Sequence, residues 1–189
     1  MAAHCHPTSA IRRCVEFGVR CIEHGTLMDA ETADYVAEKG AYVVPTLSIG
    51  VALKELGPDL GFPAVSQEKL NVVFDQTLVG LEHMRRAGLK IGFGTDLLGA
   101  TYVQQCREFT TRSEVFSALE ILRQATSMSA EILMKEDELG CIRPGAYSDL
   151  IVVDGDPLAD ISLLAADGTK LALIMRAGEI IKHQLPQAA

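Results

Sequence analysis

From Met1 to about residue 138, short apolar runs alternate with stretches whose apolar positions recur every three to four residues. Ile11, Cys14 and Val15 mark the first helical stripe; Pro7 suits its opening turn and Gly18 its end. Val19 to Glu23 reads as a short strand. Asp29 is placed to cap a helix through Lys39, which Gly40 closes. Ala41 to Leu47 is a continuous apolar run, the pattern of a strand buried on both faces. Residues 48–65 carry Gly50, Gly57, Pro58, Gly61 and Pro63, which predict a loop with a short helical piece. Ser66 then caps a helix to about Arg86, with Leu70, Val73, Phe74, Leu78 and Leu81 on one stripe. Gly88 stops it before a strand from Leu89 to Gly94. A loop over 97–112 leads to a helix opened by Ser113 and running through Leu122, and Ala130 to Met134 continues helical.

This rhythm is four β-α units, which predicts an α/β fold with parallel strands and right-handed crossovers. From Gly140 the pattern changes. Pro144-Gly145 is a turn, Ser148 to Val153 a strand, and Asp154-Gly155-Asp156-Pro157 a loop. Leu171 to Arg176 and Glu179 to His183 are strands joined by a tight Ala177-Gly178 turn. The expected division is therefore residues 1–138 as the α/β domain and 139–189 as a small β-sandwich segment.

Composition narrows the function without naming it. The 189 residues are 48% hydrophobic and carry a net charge of −8, which argues against a general nucleic-acid binder. No run approaches the roughly 20 apolar residues of a membrane span, and no signal-peptide pattern opens the chain. The five cysteines are odd in number with no Cys-x-x-Cys, so a reducing compartment and a cytoplasmic location are expected. Cys5 lies between two histidines, but strand alternation turns it away from them.

The chemistry sits at strand ends. His4 follows Met-Ala-Ala, His24 ends Arg-Cys-Ile-Glu-His, and Asp96 ends Ile-Gly-Phe-Gly-Thr-Asp. Each is a metal-competent side chain at the carboxyl end of a short apolar strand, where a parallel α/β barrel keeps its active site. Neighbouring parallel strands lie roughly 5 Å apart, so imidazoles on two of them can reach one ion. Zinc favours such nitrogen and oxygen donors and keeps a position open for water. A nearby carboxylate such as Asp96 can take that water's proton. His6, two residues beyond His4, either shares the pocket face as a substrate or outer contact or opens the following helix. His83 reads as part of a solvated helix face and His183 as inert. Arg107, Glu108 and Arg112 read as solvated loop charges, and Asp154 to Asp156 as a turn rather than a calcium loop.

Four segments carry a family resemblance: Ala-His-Cys-His (3–6), Gly-Val-Arg-Cys-Ile-Glu-His-Gly-Thr (18–26), Gly-Phe-Gly-Thr-Asp (92–96), and the tail Gly-Cys-Ile-Arg-Pro-Gly-Ala-Tyr-Ser-Asp-Leu-Ile-Val-Val-Asp-Gly-Asp-Pro-Leu (140–158). Together they resemble the carboxyl-terminal half of the metal-dependent amidohydrolase superfamily, in its imidazolonepropionase-like and Xaa-Pro dipeptidase-like branch. The resemblance implies the last four units of a (β/α)8 TIM barrel, followed by part of a β-sandwich. It makes His4 the metal ligand of the fifth barrel strand, His24 that of the sixth, and Asp96 on the eighth both ligand and general base. It further implies a divalent metal, zinc by donor set and usually two ions in the family. The reaction implied is hydrolysis of an amide-type C–N bond in a dipeptide or other small molecule.

The family's first-strand His-x-His and fourth-strand lysine have no counterpart ahead of His4, and a barrel needs about 250 residues. The chain is therefore expected to be a partial enzyme, completed by a missing amino-terminal half or by a second copy. The other reading is a non-catalytic complementing or regulatory subunit that assembles through its open sheet edge.

Overall fold

In a computed structural model, which describes residues 1–185, four parallel strands stand in the order β1-β2-β3-β4: Ala2–Pro7, Cys21–Leu27, Tyr42–Val44 and Lys90–Ile91. Helices α1 (Thr8–Glu16), α2 (Ala30–Glu38), α3 (Leu47–Leu56) and α4 (Ala64–Arg86) fill the three crossovers. This is the expected α/β order with sequential strands adjacent. Ile22 and Val43 on the strands meet Ile11, Val36, Leu81 and Met84 from the helices in one core. Among the described residues, the two outer strands, β1 and β4, each have one free edge in this sheet.

The local signals behave as their chemistry requires. Asp29 caps α2 by accepting from the Thr32 backbone N–H at 2.8 Å. Gly40 and Gly88, closing α2 and α4, both adopt φ near +67°, a region open to glycine at little cost. The third strand is shorter than the apolar run that announced it, because Thr46 already starts α3.

Four expectations are corrected. Leu47, expected to end a strand, opens α3, and the short helical piece expected within the loop of residues 48–65 is this helix, running to Leu56. Residues 97–112, expected as loop, carry a 3-10 turn (Gly99–Gln104) and helix α5 (Arg107–Arg112). The next helix, α6 (Ala118–Arg123), opens at Ser117 and not Ser113: the Ser117 hydroxyl bonds the Glu120 N–H while the Glu120 carboxylate accepts from the Ser117 N–H. That Ser-x-x-Glu box was readable in the sequence. Helix α4 likewise begins two residues before Ser66, at Ala64, with Pro63 as its N-cap; the Ser66 side chain lies outside the described residues. A π-helical turn, Gln124–Met128, joins α6 to α7 (Ser129–Ile132).

The tail forms a three-stranded antiparallel sheet, β5-β6-β7: Leu150–Val153, Leu171–Arg176 and Glu179–His183. Between β5 and β6, a 3-10 turn at Ile161–Ala165 returns to pack on α5, and Ile161 and Leu164 join the core of the α/β body. Asp154-Gly155 is a bend leading into a turn at residues 157–159. No helix among the described residues is long and apolar enough to cross a membrane.

Candidate metal centre

His4 and His6 project from the same face of β1, while Cys5 between them is buried in the core, as strand alternation demands. Burial, then the neighbouring Cys14 thiol, pushes the Cys5 thiol up to about 11, so it stays protonated at neutral pH and is a poor ligand. In the parallel register, Cys5 lies beside His24 of β2. His24 is not just past its strand, as expected, but inside it. One extra residue on β2 breaks the register between His24 and Leu27, and such a bulge re-aims the side chain next to it.

The backbone at this bulge is held out of its ordinary range. His24 has φ +74° and Gly25 φ +63°. A left-handed residue with a Cβ costs about 1–2 kcal/mol, so packing around it must hold it there. At Gly25 that packing is close: an added Cβ would lie 3.2 Å from Met28 Cε and 3.3 Å from Met84 Cε and Val43 Cγ1, so those side chains would have to give by a few tenths of an ångström. Asp96, in the turn after β4, is also left-handed, at φ +54°. Two of the four sequence-derived site residues thus sit in strained backbone, a condition that clusters at functional sites.

The three imidazoles converge. Ring centroids are 4.5 Å apart for His4 and His24, 4.9 Å for His4 and His6, and 4.8 Å for His6 and His24. One ligand atom from each lies within 4.8 Å of the others, a spacing that fits a shared cation. Asp96 lines the same cavity, of about 230 Å³. All four residues named from the sequence are therefore brought to one place.

Two hydroxyls missed in the sequence orient the rings. His6 Nδ1 is hydrogen-bonded to Thr26 Oγ1 at 2.9 Å, and His24 Nδ1 to Thr46 Oγ1 at 2.7 Å. An Nδ1–H given to a hydroxyl leaves Nε2 with its lone pair, the tautomer a metal needs. Burial, and then the neighbouring imidazoles, lower the pKa of both His6 and His24, against the opposing pull of Asp96. Neutral rings with a free nitrogen suit a cation and disfavour protons.

Across the cavity the wall is apolar: Leu47, Ile49 and Leu53 of α3 face Leu70, Val73 and Phe74 of α4. Charges expected to be solvated are not. Arg107 is half-exposed and pairs with Glu55, but Glu108 and Arg112 are fully buried and paired at 2.7 Å. His83, expected on a solvated face, is half-buried with Nδ1 3.2 Å from the Met28 carbonyl oxygen. His183 is exposed at the end of β7.

Residues 1–181 match the model of the amidohydrolase family. The chain belongs to that family. Among its solved relatives, a prolidase complexed with N-methylphosphonate-L-proline is 43% identical with a TM-score of 0.92, over 97% of this chain and 45% of that one. A Xaa-Pro dipeptidase with methionine bound in its active site is 33% identical with a TM-score of 0.83, over 96% of this chain and 44% of that one. Ochratoxinase of Aspergillus niger is 27% identical over 165 residues, 86% of this chain and 34% of that protein. The chain thus spans less than half the length of each.

Proposed function

We propose that the chain contributes the metal-holding and proton-accepting face of an enzyme that hydrolyses a C–N bond in a dipeptide or similar amide. The single observation that carries this reading is the convergence of His4, His6, His24 and Asp96, from three strand ends, on one cavity. Members of the family generally use divalent metals, and the nitrogen-rich donor set favours zinc. His4 and His24 would hold the ion. The place of His6 within the same cluster favours a ligand role for it over the substrate contact expected from sequence. When bound there, a divalent cation would supply Lewis acidity for the scissile carbonyl and for the attacking water.

The remaining work falls to the chain itself. Asp96 accepts the proton of the attacking water at its carboxylate and returns it to the departing nitrogen. Thr26 and Thr46 keep the imidazoles in the productive tautomer. The wall of α3 and α4 excludes water and seats an uncharged, apolar part of the substrate, since Asp96 is the one charged side chain lining the cavity among the described residues. The likeness to a prolidase and to ochratoxinase supports an amide-type substrate with an apolar group.

The four β-α units are read as half of a (β/α)8 barrel. The free edges of β1 and β4 fit continuation into further strands, and exposed Ile151, Ile180 and Ile181 fit a tail sheet covered by a second layer. The test is hydrolysis of Xaa-Pro dipeptides and N-acyl amino acids by the protein loaded with zinc, before and after chelation. Cleavage lost on chelation and restored by zinc supports the reading; cleavage indifferent to chelation, or none of any substrate by zinc-loaded protein joined to the rest of a barrel, rejects it.

A further inference from the structure

Glu108 and Arg112 form an ion pair with both side chains fully buried. Such a pair is a poor source of stability, because desolvation roughly cancels attraction and an apolar pair of similar volume often does as well. What it grips is therefore informative. Arg112 donates from Nη2 to the Pro45 carbonyl at 2.6 Å and from Nη1 to the Gly92 carbonyl at 2.9 Å, so it ties together the carboxyl ends of β3 and β4. Its Nε holds Glu108 Oε1 at 2.7 Å. Glu108 Oε2 in turn accepts from the Ser48 N–H at 2.7 Å and the Ser48 hydroxyl at 2.8 Å, while Oε1 accepts from the Leu47 N–H at 3.4 Å.

Leu47 and Ser48 are the first two residues of α3, whose N–H groups no helix can satisfy internally. The N-cap is Thr46, a residue type that ordinarily turns its own hydroxyl onto the N–H of the second or third helical residue. Here Thr46 makes no capping bond; its hydroxyl is engaged with His24.

We propose that the Glu108–Arg112 pair is a surrogate cap for α3 that releases the Thr46 hydroxyl to orient His24, which makes Glu108 and Arg112 positioning residues for the metal centre. With the carboxylate removed, the Ser48 N–H is orphaned, and the Thr46 hydroxyl is the group beside it able to accept. Turning there breaks its bond to His24. The inference rests on the reading of His24 as a ligand.

The test is Co²⁺ affinity and visible spectrum in four proteins: the parent, Thr46→Val, the apolar pair Glu108→Leu with Arg112→Met, and the combination of all three changes. Thermal unfolding confirms that each folds. Losing an outer partner of a metal-bound histidine costs about 10- to 100-fold in affinity. Thr46→Val and the apolar pair are each expected to show that loss with the same altered spectrum. The triple variant is expected to be no worse than either, because both act through one bond. Parent-like affinity in the apolar pair, or losses that multiply in the triple variant, overturns the proposal. Should the apolar pair not fold, Glu108→Gln replaces it: a several-fold loss absent in the Thr46→Val background supports the proposal, and unchanged affinity overturns it. A parent protein that binds no Co²⁺ overturns the metal reading as well, and so tells the two failures apart.

Discussion

The two ends of the parallel sheet are built on opposite principles. At the amino ends of the strands, charges are matched. Arg20 donates to the Glu131 and Ile132 carbonyls at 2.8 and 2.6 Å and lies over the Tyr42 ring at 4.7 Å. Glu131 accepts from the Tyr42 hydroxyl at 2.7 Å and from Lys90 Nζ at 2.6 Å. At the carboxyl ends, three bases crowd together, His24 and Asp96 sit in left-handed backbone, and helix α3 is capped by a residue 60 positions away in sequence. The first end lowers the energy of the fold. The second spends some of that stability to crowd three imidazoles whose protonated forms would repel one another. The contrast matches the division in parallel α/β barrels between a stabilising and a chemical face.

Substitutions at each end should therefore separate binding from stability. The largest effect is expected from His24→Ala. Zinc affinity, measured by calorimetry, should fall more than the roughly 100-fold upper range of an outer-shell loss, with circular dichroism unchanged. Thr26→Val, which removes the partner of His6 Nδ1, should lower affinity about 10- to 100-fold. At the other end, Glu131→Gln should cost about 1 kcal/mol in denaturant unfolding and leave zinc affinity where it was. An effect of Glu131→Gln on affinity as large as that of Thr26→Val would erase the distinction between the two ends.

The smallest effect concerns pH in the metal-free protein. The folded-state pKa values of His6 and His24 are lowered by burial. As pH falls below the unfolded value of about 6.5, the unfolded chain takes up protons first, so stability is lost. Above that pH this contribution is constant. Thermal midpoints should drop on acidification from pH 6.5, less steeply in His24→Asn; an equal slope in both proteins would remove His24 from the account.

The sequence disclosed what local chemistry decides. Period changes located the four β-α units, Asp29 and Gly40 bounded α2, and the Ala177-Gly178 turn gave the last hairpin to the residue. What stayed hidden is held from a distance. Residues 47–56 include Gly50 and follow a Thr46 that does not cap, so the start of the helix carries no local signal; its contacts come from Glu108, and from Phe74, whose ring an added Cβ at Gly50 would approach to 3.1 Å. Glu108 and Arg112 looked solvated because charges normally are, and only tertiary pairing permits their burial. The candidate site was legible in its possible donors, since His4, His6, His24 and Asp96 all carry a signal in residue type and position. Thr26 and Thr46 carry none, because a threonine becomes a histidine's partner only through register.

Anomalous scattering at the zinc absorption edge, from crystals of the protein grown with zinc, tests the central claim most directly. The account predicts a peak within bonding distance of nitrogens from His4 and His24, on the side of the cavity facing Asp96. A fully zinc-loaded crystal with no peak among these rings, or with its zinc bound elsewhere on the chain, would contradict it.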